Sequence, residues 1–212
     1  MAFQPCWILL GSGSIVGGER INFQPDEGER MVMRVFFDSE FTGLRRDTTL
    51  ISIGLVAEDG NMFYAEFTDY DRSQVFEWLQ ENVINNLWLS NPEQEPPSYI
   101  GEGKLVTCLG DTEQIRQALR QWLSQWDWVE MWADIIPFDW VLFCDLLGGI
   151  FQFPPNLSFI CYDLCTLLKM KGFEPMKTNR EELAGFSGVE NKHNALYDAL
   201  VIRACYEKLI AL

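Results

Sequence analysis

The chain has 212 residues, a length that one domain with an ordinary hydrophobic core accounts for. Hydrophobic residues make up 48% of it and aromatic residues 14%, a composition that excludes an intrinsically disordered protein. The formal net charge of −15 argues against a protein that grips long duplex nucleic acid, because an acidic surface repels phosphate groups.

Residues 1–30 differ from the rest of the chain, because they are rich first in Gly and Ser and then in charged residues. We interpret them as an N-terminal extension to which the sequence assigns no role. The single expected domain then covers residues 31–212.

The segments after the extension alternate between strand and helix patterns. Apolar and alternating runs predict five strands, at residues 32–38, 50–57, 62–67, 129–133 and 157–162. Helical spacing and capping signals predict helices at residues 73–88, 111–125, 138–147, from the fifth strand to about residue 170, and from residue 194 onward. Residues 91–110, with three prolines, are predicted as a loop. This order favours an α/β fold, with a mixed sheet of about five strands, antiparallel on one side, flanked by helices.

The cysteines give information about the cellular compartment rather than about a metal site. Six Cys stand at positions 6, 108, 144, 161, 165 and 205 without a C-x-x-C pair, and the chain has one His, so a zinc finger is not expected. The spacing is typical of reduced, mostly buried thiols. No apolar run reaches membrane-spanning length, and the N-terminus lacks the basic segment of a signal peptide. We therefore expect a cytoplasmic protein without a membrane partner.

Two acids stand at the end of the first predicted strand, in RVFFDSEFTGL (residues 34–44). Side chains alternate along a strand, so Asp38 and Glu40 point to the same face. Their mutual repulsion is relieved most simply by a bound cation, and carboxylate oxygens suit Mg²⁺ or Mn²⁺. An acid pair at a strand end is common, however, so a metal site needs further acids.

Two later segments supply such acids. In MWADIIPFDWVLF (131–143), Asp139 opens a helix after a strand, although an acid there is also a common helix cap. In HNALYDALVIRA (193–204), Asp198 lies near the start of the last helix, five residues after His193. On a continuous helix these two would be about 140° apart. We therefore expect His193 in the preceding loop or the first turn, where a hydrogen-bonded structural histidine is the alternative.

Taken together, these segments resemble the motifs of the DEDDh family of 3′→5′ exonucleases, which includes RNase T, oligoribonuclease and polymerase proofreading subunits. DSEFTGL is similar to the first motif, PFDWVLF to the second, and HNALYDA to the third, H-x-A-x-x-D-A. The resemblance runs from about Arg34 to Leu209, and LISIGLVAEDG looks most like the small bacterial exoribonucleases. Membership would imply an RNase H-like fold.

The resemblance implies a two-metal exoribonuclease that releases nucleoside 5′-monophosphates from RNA 3′ ends. Two Mg²⁺ or Mn²⁺ ions would be held by four acids, Asp38, Glu40, Asp139 and Asp198. His193 would accept the proton of the attacking water. Phe41, Thr42 and Leu44 would contact the terminal nucleotide, and apolar contact with a base makes such a site tolerant of sequence.

Several alternatives stay open. Many relatives have Asn four residues before the second-motif acid, where this chain has Ile135. Asp134 is thus a rival for the metal, and we prefer Asp139 because it follows Phe138 and opens the helix as the family pattern does. Short or single-stranded RNA ends are the expected partners, with a 3′→5′ exodeoxyribonuclease or a non-catalytic module that binds nucleic acid or metal as the alternatives. A homodimer is compatible with the resemblance.

Overall fold

A computed structural model of the chain describes residues 14–16, 19–21, 30–91, 94, 104–186 and 193–212. The chain divides into two compact units, Met1–Arg30 and Met31–Leu212. In the first unit the described backbone forms two short antiparallel strands, β1 (Ser14–Val16) and β2 (Glu19–Ile21). Apart from Arg30, the rest of the predicted N-terminal extension lies outside the described residues.

The second unit is built on a six-stranded mixed sheet. Its strands are β3 (Val32–Phe41), β4 (Leu50–Ala57), β5 (Met62–Phe67), β6 (Leu105–Gly110), β7 (Trp128–Ala133) and β8 (Leu157–Asp163). They lie in the order β6-β5-β4-β3-β7-β8, with β3, β4 and β5 antiparallel as predicted. The β5–β6, β3–β7 and β7–β8 pairs are parallel. The predicted α/β class with a mixed sheet is confirmed, and the arrangement is consistent with an RNase H-like fold.

Helices cover both faces of this sheet. They are α1 (Glu77–Asn82), α2 (Thr112–Leu123), α3 (Asp139–Leu146), α4 (Leu164–Met170), α5 (Arg180–Ala184) and α6 (Ala195–Ile210). On one face, Phe37 of β3 packs against Phe143 of α3, and α2 joins the same core. On the other face, Phe36 packs against Tyr206 of α6, together with α4. Successive side chains of β3 therefore meet different helices. No helix that the structure describes is long and apolar enough to cross a membrane.

Two predicted elements were wrong. The single helix expected at residues 73–88 is the short α1 between two 3₁₀ turns, Arg72–Gln74 and Ile84–Asn86. Asn side chains compete for backbone groups, and Asn82 and Asn86 each donate to a backbone oxygen four residues earlier.

The second error is the loop expected at residues 91–110, because its last six residues form β6. This strand pairs with β5 in parallel, so its partner lies far away in the sequence. Much of the remaining predicted loop, residues 92–93 and 95–103, lies outside the described residues. The short helix α5 was not predicted either.

Candidate functional site

The two acids of β3 point toward α6. Because side chains alternate along a strand, one face of β3 carries Phe36, Asp38 and Glu40. Phe36 packs in the core that α6 covers. Asp198 lies in the first turn of α6. One carboxylate oxygen from each of Asp38, Glu40 and Asp198 lies within 4.8 Å of the others. The structure therefore brings together three of the four predicted acids, which we call the three-acid group.

Gly54 allows α6 to come this close. It is the partner of Asp38 across the β3–β4 ladder. A Cβ added at Gly54 would lie 2.3 Å from the backbone nitrogen of Leu196 and 2.4 Å from the carbonyl carbon of Ala195. Only glycine fits under this first turn of α6, and the turn carries Asp198 to the β3 acids. Sequence reasoning missed this role, for which a lone Gly inside a buried strand is the signal.

Asp139 approaches from the other face of β3. Ser39, like Phe37, points to the α3 side, and its hydroxyl and backbone N–H donate to Asp139 Oδ1 at 2.6 and 3.1 Å. Asp139 is buried, with 8% of its surface exposed, and is the first residue of α3. It thus lies beside the three-acid group, which among the described residues does not include it.

Crowded carboxylates dominate the electrostatics of this site. Burial, followed by the charges of Asp139, Asp198 and Glu40, raises the pKa of Asp38 well above its usual range. Burial and the charges of Asp198 and Asp139 raise the pKa of Glu40 to about 8. Burial raises the pKa of Asp139 to about 6, although the hydrogen bonds from Ser39 act in the opposite direction. A divalent cation would oppose these shifts, because its positive charge favours the ionised form of each carboxylate.

Glu66 shows how the same protein stabilises a buried acid through hydrogen bonds. Its side chain, 1% exposed, accepts hydrogen bonds of 2.8–3.0 Å from the Tyr64 hydroxyl and from the backbone N–H groups of Trp88, Leu89 and Ser90. No described residue donates such a bond to Asp38 or Glu40. Because these hard oxygen ligands have no hydrogen-bond donor among the described residues, they fit a hard divalent cation.

His193 lies in the turn before α6. Asn194 caps the helix, and the backbone N–H of His193 donates to Asp198 Oδ2 at 3.2 Å. The His193 ring meets the Trp78 ring edge-on, with centroids 4.9 Å apart. His193 also lines a cleft of about 510 Å³ together with Asp38 and Asp198. It therefore stands beside the acids, and its role as a base stays a prediction.

The three residues predicted to contact a nucleotide differ in exposure. Leu44 is 71% exposed, whereas Thr42 is 1% exposed and its hydroxyl donates to Gln74 Oε1. Phe41 stacks on Phe138, with ring centroids 6.0 Å apart. The Thr42 hydroxyl is thus engaged within the protein, and the predicted contacts with substrate stay predictions.

Two side chains were missed from the sequence, one that contacts His193 and one that lines the cleft. Trp78 is 47% exposed and stacks on Phe76, itself 56% exposed, with ring centroids 6.4 Å apart. The signal was that Trp78 falls off the apolar face expected for residues 73–88. The second is Arg180, which forms an ion pair with Asp134, the rival acid.

Comparison with known proteins gives consistent matches. A family model described as the 3′-5′ exoribonuclease Rv2179c-like domain matches residues 33–210. The chain is 30% identical over 169 residues to 3′-5′ exoribonuclease Rv2179c of Mycobacterium tuberculosis (strain ATCC 25618 / H37Rv), covering 79% of this chain and 87% of the relative. Identity and coverage are the same for 3′-5′ exoribonuclease MT2234.1 of strain CDC 1551 / Oshkosh. The matched region contains both Asp38 and Asp198.

Proposed function

The chain belongs to the 3′-5′ exoribonuclease Rv2179c-like domain family, and from that premise we propose that it shortens RNA from the 3′ end and releases nucleoside 5′-monophosphates. The observation that carries the proposal is the approach of Asp38, Glu40 and Asp198 within 4.8 Å of one another. These acids come from two ends of the matched region, and no described donor neutralises the β3 pair.

The three-acid group, with Asp139 beside it, would hold Mg²⁺ or Mn²⁺, two ions in the complete site. When bound, such ions lower the pKa of water and stabilise the negative charge that develops on the phosphate. The protein supports this arrangement from both faces of β3. Ser39 holds Asp139 through two hydrogen bonds, and Gly54 lets the first turn of α6 bring in Asp198.

His193 would accept the proton of the attacking water. An imidazole titrates near neutral pH, so its neutral form is available as a base under physiological conditions. The backbone N–H of His193 is held by Asp198, and its ring borders Trp78. His193 also lines the cleft with Asp38 and Asp198, which supports this role.

The exposed pair Phe76 and Trp78 would stack on bases near the 3′ end. Stacking uses the face of a base that is common to all four nucleotides, and it requires a base that is free of its pairing partner. Trp78 of this pair contacts His193, which lines the cleft, and the exposed Leu44 shortly after β3 would offer a further apolar contact. Short or single-stranded ends are therefore the proposed substrates.

The test is an assay on 5′-labelled single-stranded RNA with Mg²⁺, Mn²⁺ or EDTA. We expect stepwise shortening and nucleoside 5′-monophosphate with either cation, and neither with EDTA. Asp198→Asn keeps the side-chain shape but removes a ligand charge, so we expect it to abolish activity. His193→Ala should reduce kcat about 100-fold or more, the usual range for loss of a general base.

Asp145→Asn, at an exposed acid of α3, is the matched control and should act like wild type. Shortening in EDTA, or full activity of Asp198→Asn, would contradict the proposal. Faster degradation of a matched DNA oligomer would favour the exodeoxyribonuclease alternative. Mn²⁺ binding without product from either nucleic acid would favour the non-catalytic module.

A further inference from the structure

A second charged cluster borders the same cleft. Asp134 follows β7 directly, so it stands at the same edge of the sheet as the acids that end the parallel strand β3. It lines the cleft together with Asp38 and Asp198, and its charge contributes to the raised pKa of Asp38. A carboxylate in this place would compete with Asp139 for a cation.

Arg180 engages both oxygens of Asp134. Its Nε donates to Oδ2 at 2.9 Å and an Nη donates to Oδ1 at 3.2 Å, and both side chains are less than one-fifth exposed. The remaining donors reach Cys165 Sγ and the backbone oxygens of Pro175 and Thr178. A guanidinium has five N–H groups, and all five are used here. Arg180 thus has no donor left for an RNA phosphate in this arrangement.

We propose that Arg180 is a positioning residue whose ion pair with Asp134 keeps that carboxylate from binding the cation. Asp139, rather than Asp134, is then the acid after β7 that binds the cation together with the three-acid group. This inference rests on the proposed function. Asp139 is fixed by Ser39 and Asp134 is fixed by Arg180, so two acids five residues apart receive different partners. Because the charges of Arg180 and Asp134 cancel, their ion pair also adds no net charge near the cation site.

The two halves of the pair then have opposite effects on cation affinity. Arg180→Met exposes an uncompensated carboxylate, so Mn²⁺ should bind more tightly, but with Asp134 as a competing ligand. Asp134→Asn leaves an uncompensated guanidinium, so Mn²⁺ should bind more weakly. A residue that only tethered α5 to the sheet would weaken binding in both variants or in neither.

The experiment is calorimetric titration of the metal-free full chain with Mn²⁺, beside the RNA assay. We expect the Mn²⁺ dissociation constant to fall about tenfold in Arg180→Met and to rise about tenfold in Asp134→Asn, as a unit charge near a divalent ion implies. The double variant should return to within about threefold of wild type, since the two effects offset each other. In Arg180→Met kcat should fall at least about tenfold, and the double variant should recover most of that loss.

Arg34→Met is the matched control, because it breaks the ion pair with Glu58 near the opposite end of β3 and should leave Mn²⁺ affinity unchanged. Shifts of both variants in the same direction, or no shift, overturn the inference while the proposed function stands. A wild type that neither binds Mn²⁺ nor shortens RNA overturns both. If Arg180→Met does not fold, Asp134→Asn decides, since it still offers Arg180 an acceptor: weaker Mn²⁺ binding supports the inference, and unchanged or tighter binding overturns it.

Discussion

Glu40 and Glu66 are both glutamates within strands of one sheet, and the groups around their carboxylates differ. Glu66 accepts hydrogen bonds from residues 88–90, whereas the pKa of Glu40 is raised by burial and by Asp198 and Asp139. In both cases the deciding neighbours lie far away in the sequence. Local pattern therefore located the acids, but the distinction between a structural acid and a candidate ligand required the fold or the family motifs.

The raised pKa of Glu40 predicts how stability depends on pH in the absence of metal. Its folded pKa of about 8 exceeds the ordinary value of 4.5, so the folded state retains a proton that the unfolded state releases. The stabilising effect is complete below pH 4.5 and is lost as pH rises through about 8. Urea unfolding in EDTA should therefore show a free energy of unfolding that falls across this window, and Asp38 acts with the same sign.

Two glutamine variants separate the two glutamates. Glu40→Gln should raise the free energy of unfolding of the metal-free protein at pH 8, because it removes a repelled charge. Glu66→Gln should lower it by about 1–3 kcal/mol, since charge-assisted bonds from backbone N–H groups are weakened. A change of the same sign in the free energy of unfolding for both variants would contradict the distinction between a structural Glu66 and a candidate ligand Glu40.

Ile135 is a strained residue that follows Asp134, one of the residues lining the cleft. Its φ of 55° is in the left-handed region, which a β-branched residue rarely adopts and which Asn tolerates better. Because the side chain is 56% exposed, little packing is lost on substitution. Ile135→Asn should raise the free energy of unfolding by about 1 kcal/mol, measured as a higher urea midpoint.

Val141→Asn is the control for Ile135→Asn, because Val141 is 63% exposed but lies within α3. Val141→Asn should not raise the free energy of unfolding. A lower midpoint for Ile135→Asn would show that the Ile side chain contributes more than its backbone strain costs.

At the scale of elements, local signals were sufficient where an element is buried on both faces or carries its own caps. The bounds predicted for β4 and β5 are those observed, and every residue of β5 is buried. The helix predicted to begin near residue 111 is also confirmed, and Asp111 and Gln114 form a capping box at its start. β6 was missed because its residues are mostly part-exposed and its strand conformation depends on pairing with β5.

The contact between β4 and α6 leads to an element-scale prediction. Gly54→Ala would place a methyl group 2.3–2.4 Å from backbone atoms of Ala195 and Leu196, and backbone cannot move aside as a side chain can. We expect α6 to shift, the free energy of unfolding to fall by about 1–3 kcal/mol, and RNA shortening to be lost as Asp198 moves.

Gly60→Ala is the matched control. Gly60 has a φ of +89° in the β4–β5 turn and no atom within 4 Å of an added Cβ. Stability should therefore fall by about 1–2 kcal/mol through backbone strain alone, with RNA shortening retained. Equal activity of the two variants would refute the role of Gly54 in placing Asp198.

For the whole molecule, the motif resemblance is confirmed by the family match, and the matched region contains the acids of the candidate site. It could not supply the arrangement of the acids. Asp38, Glu40 and Asp198 meet on one face of β3, while Asp139 approaches from the other, because Ser39 alternates to that side. The homodimer that is compatible with the resemblance stays untested.

On the proposed function, RNA affinity should depend only weakly on salt. An enzyme that holds only the end of a strand neutralises few phosphates, so the slope of log(1/KM) against log[KCl] should be no steeper than about −2. The measurement is KM for a single-stranded oligoribonucleotide at about 50 to 200 mM KCl. A slope near −5 would instead indicate a long basic groove.

Placing Asp38 on the first strand of the sheet and Asp198 on the helix α6 has a consequence for biosynthesis. A ribosome makes the first acid early and the last one only when nearly all of this fold has been translated. On the proposed function, the nascent chain has no competent nuclease site while most of it is being translated. The RNA that directs its synthesis is thereby spared from it during that time.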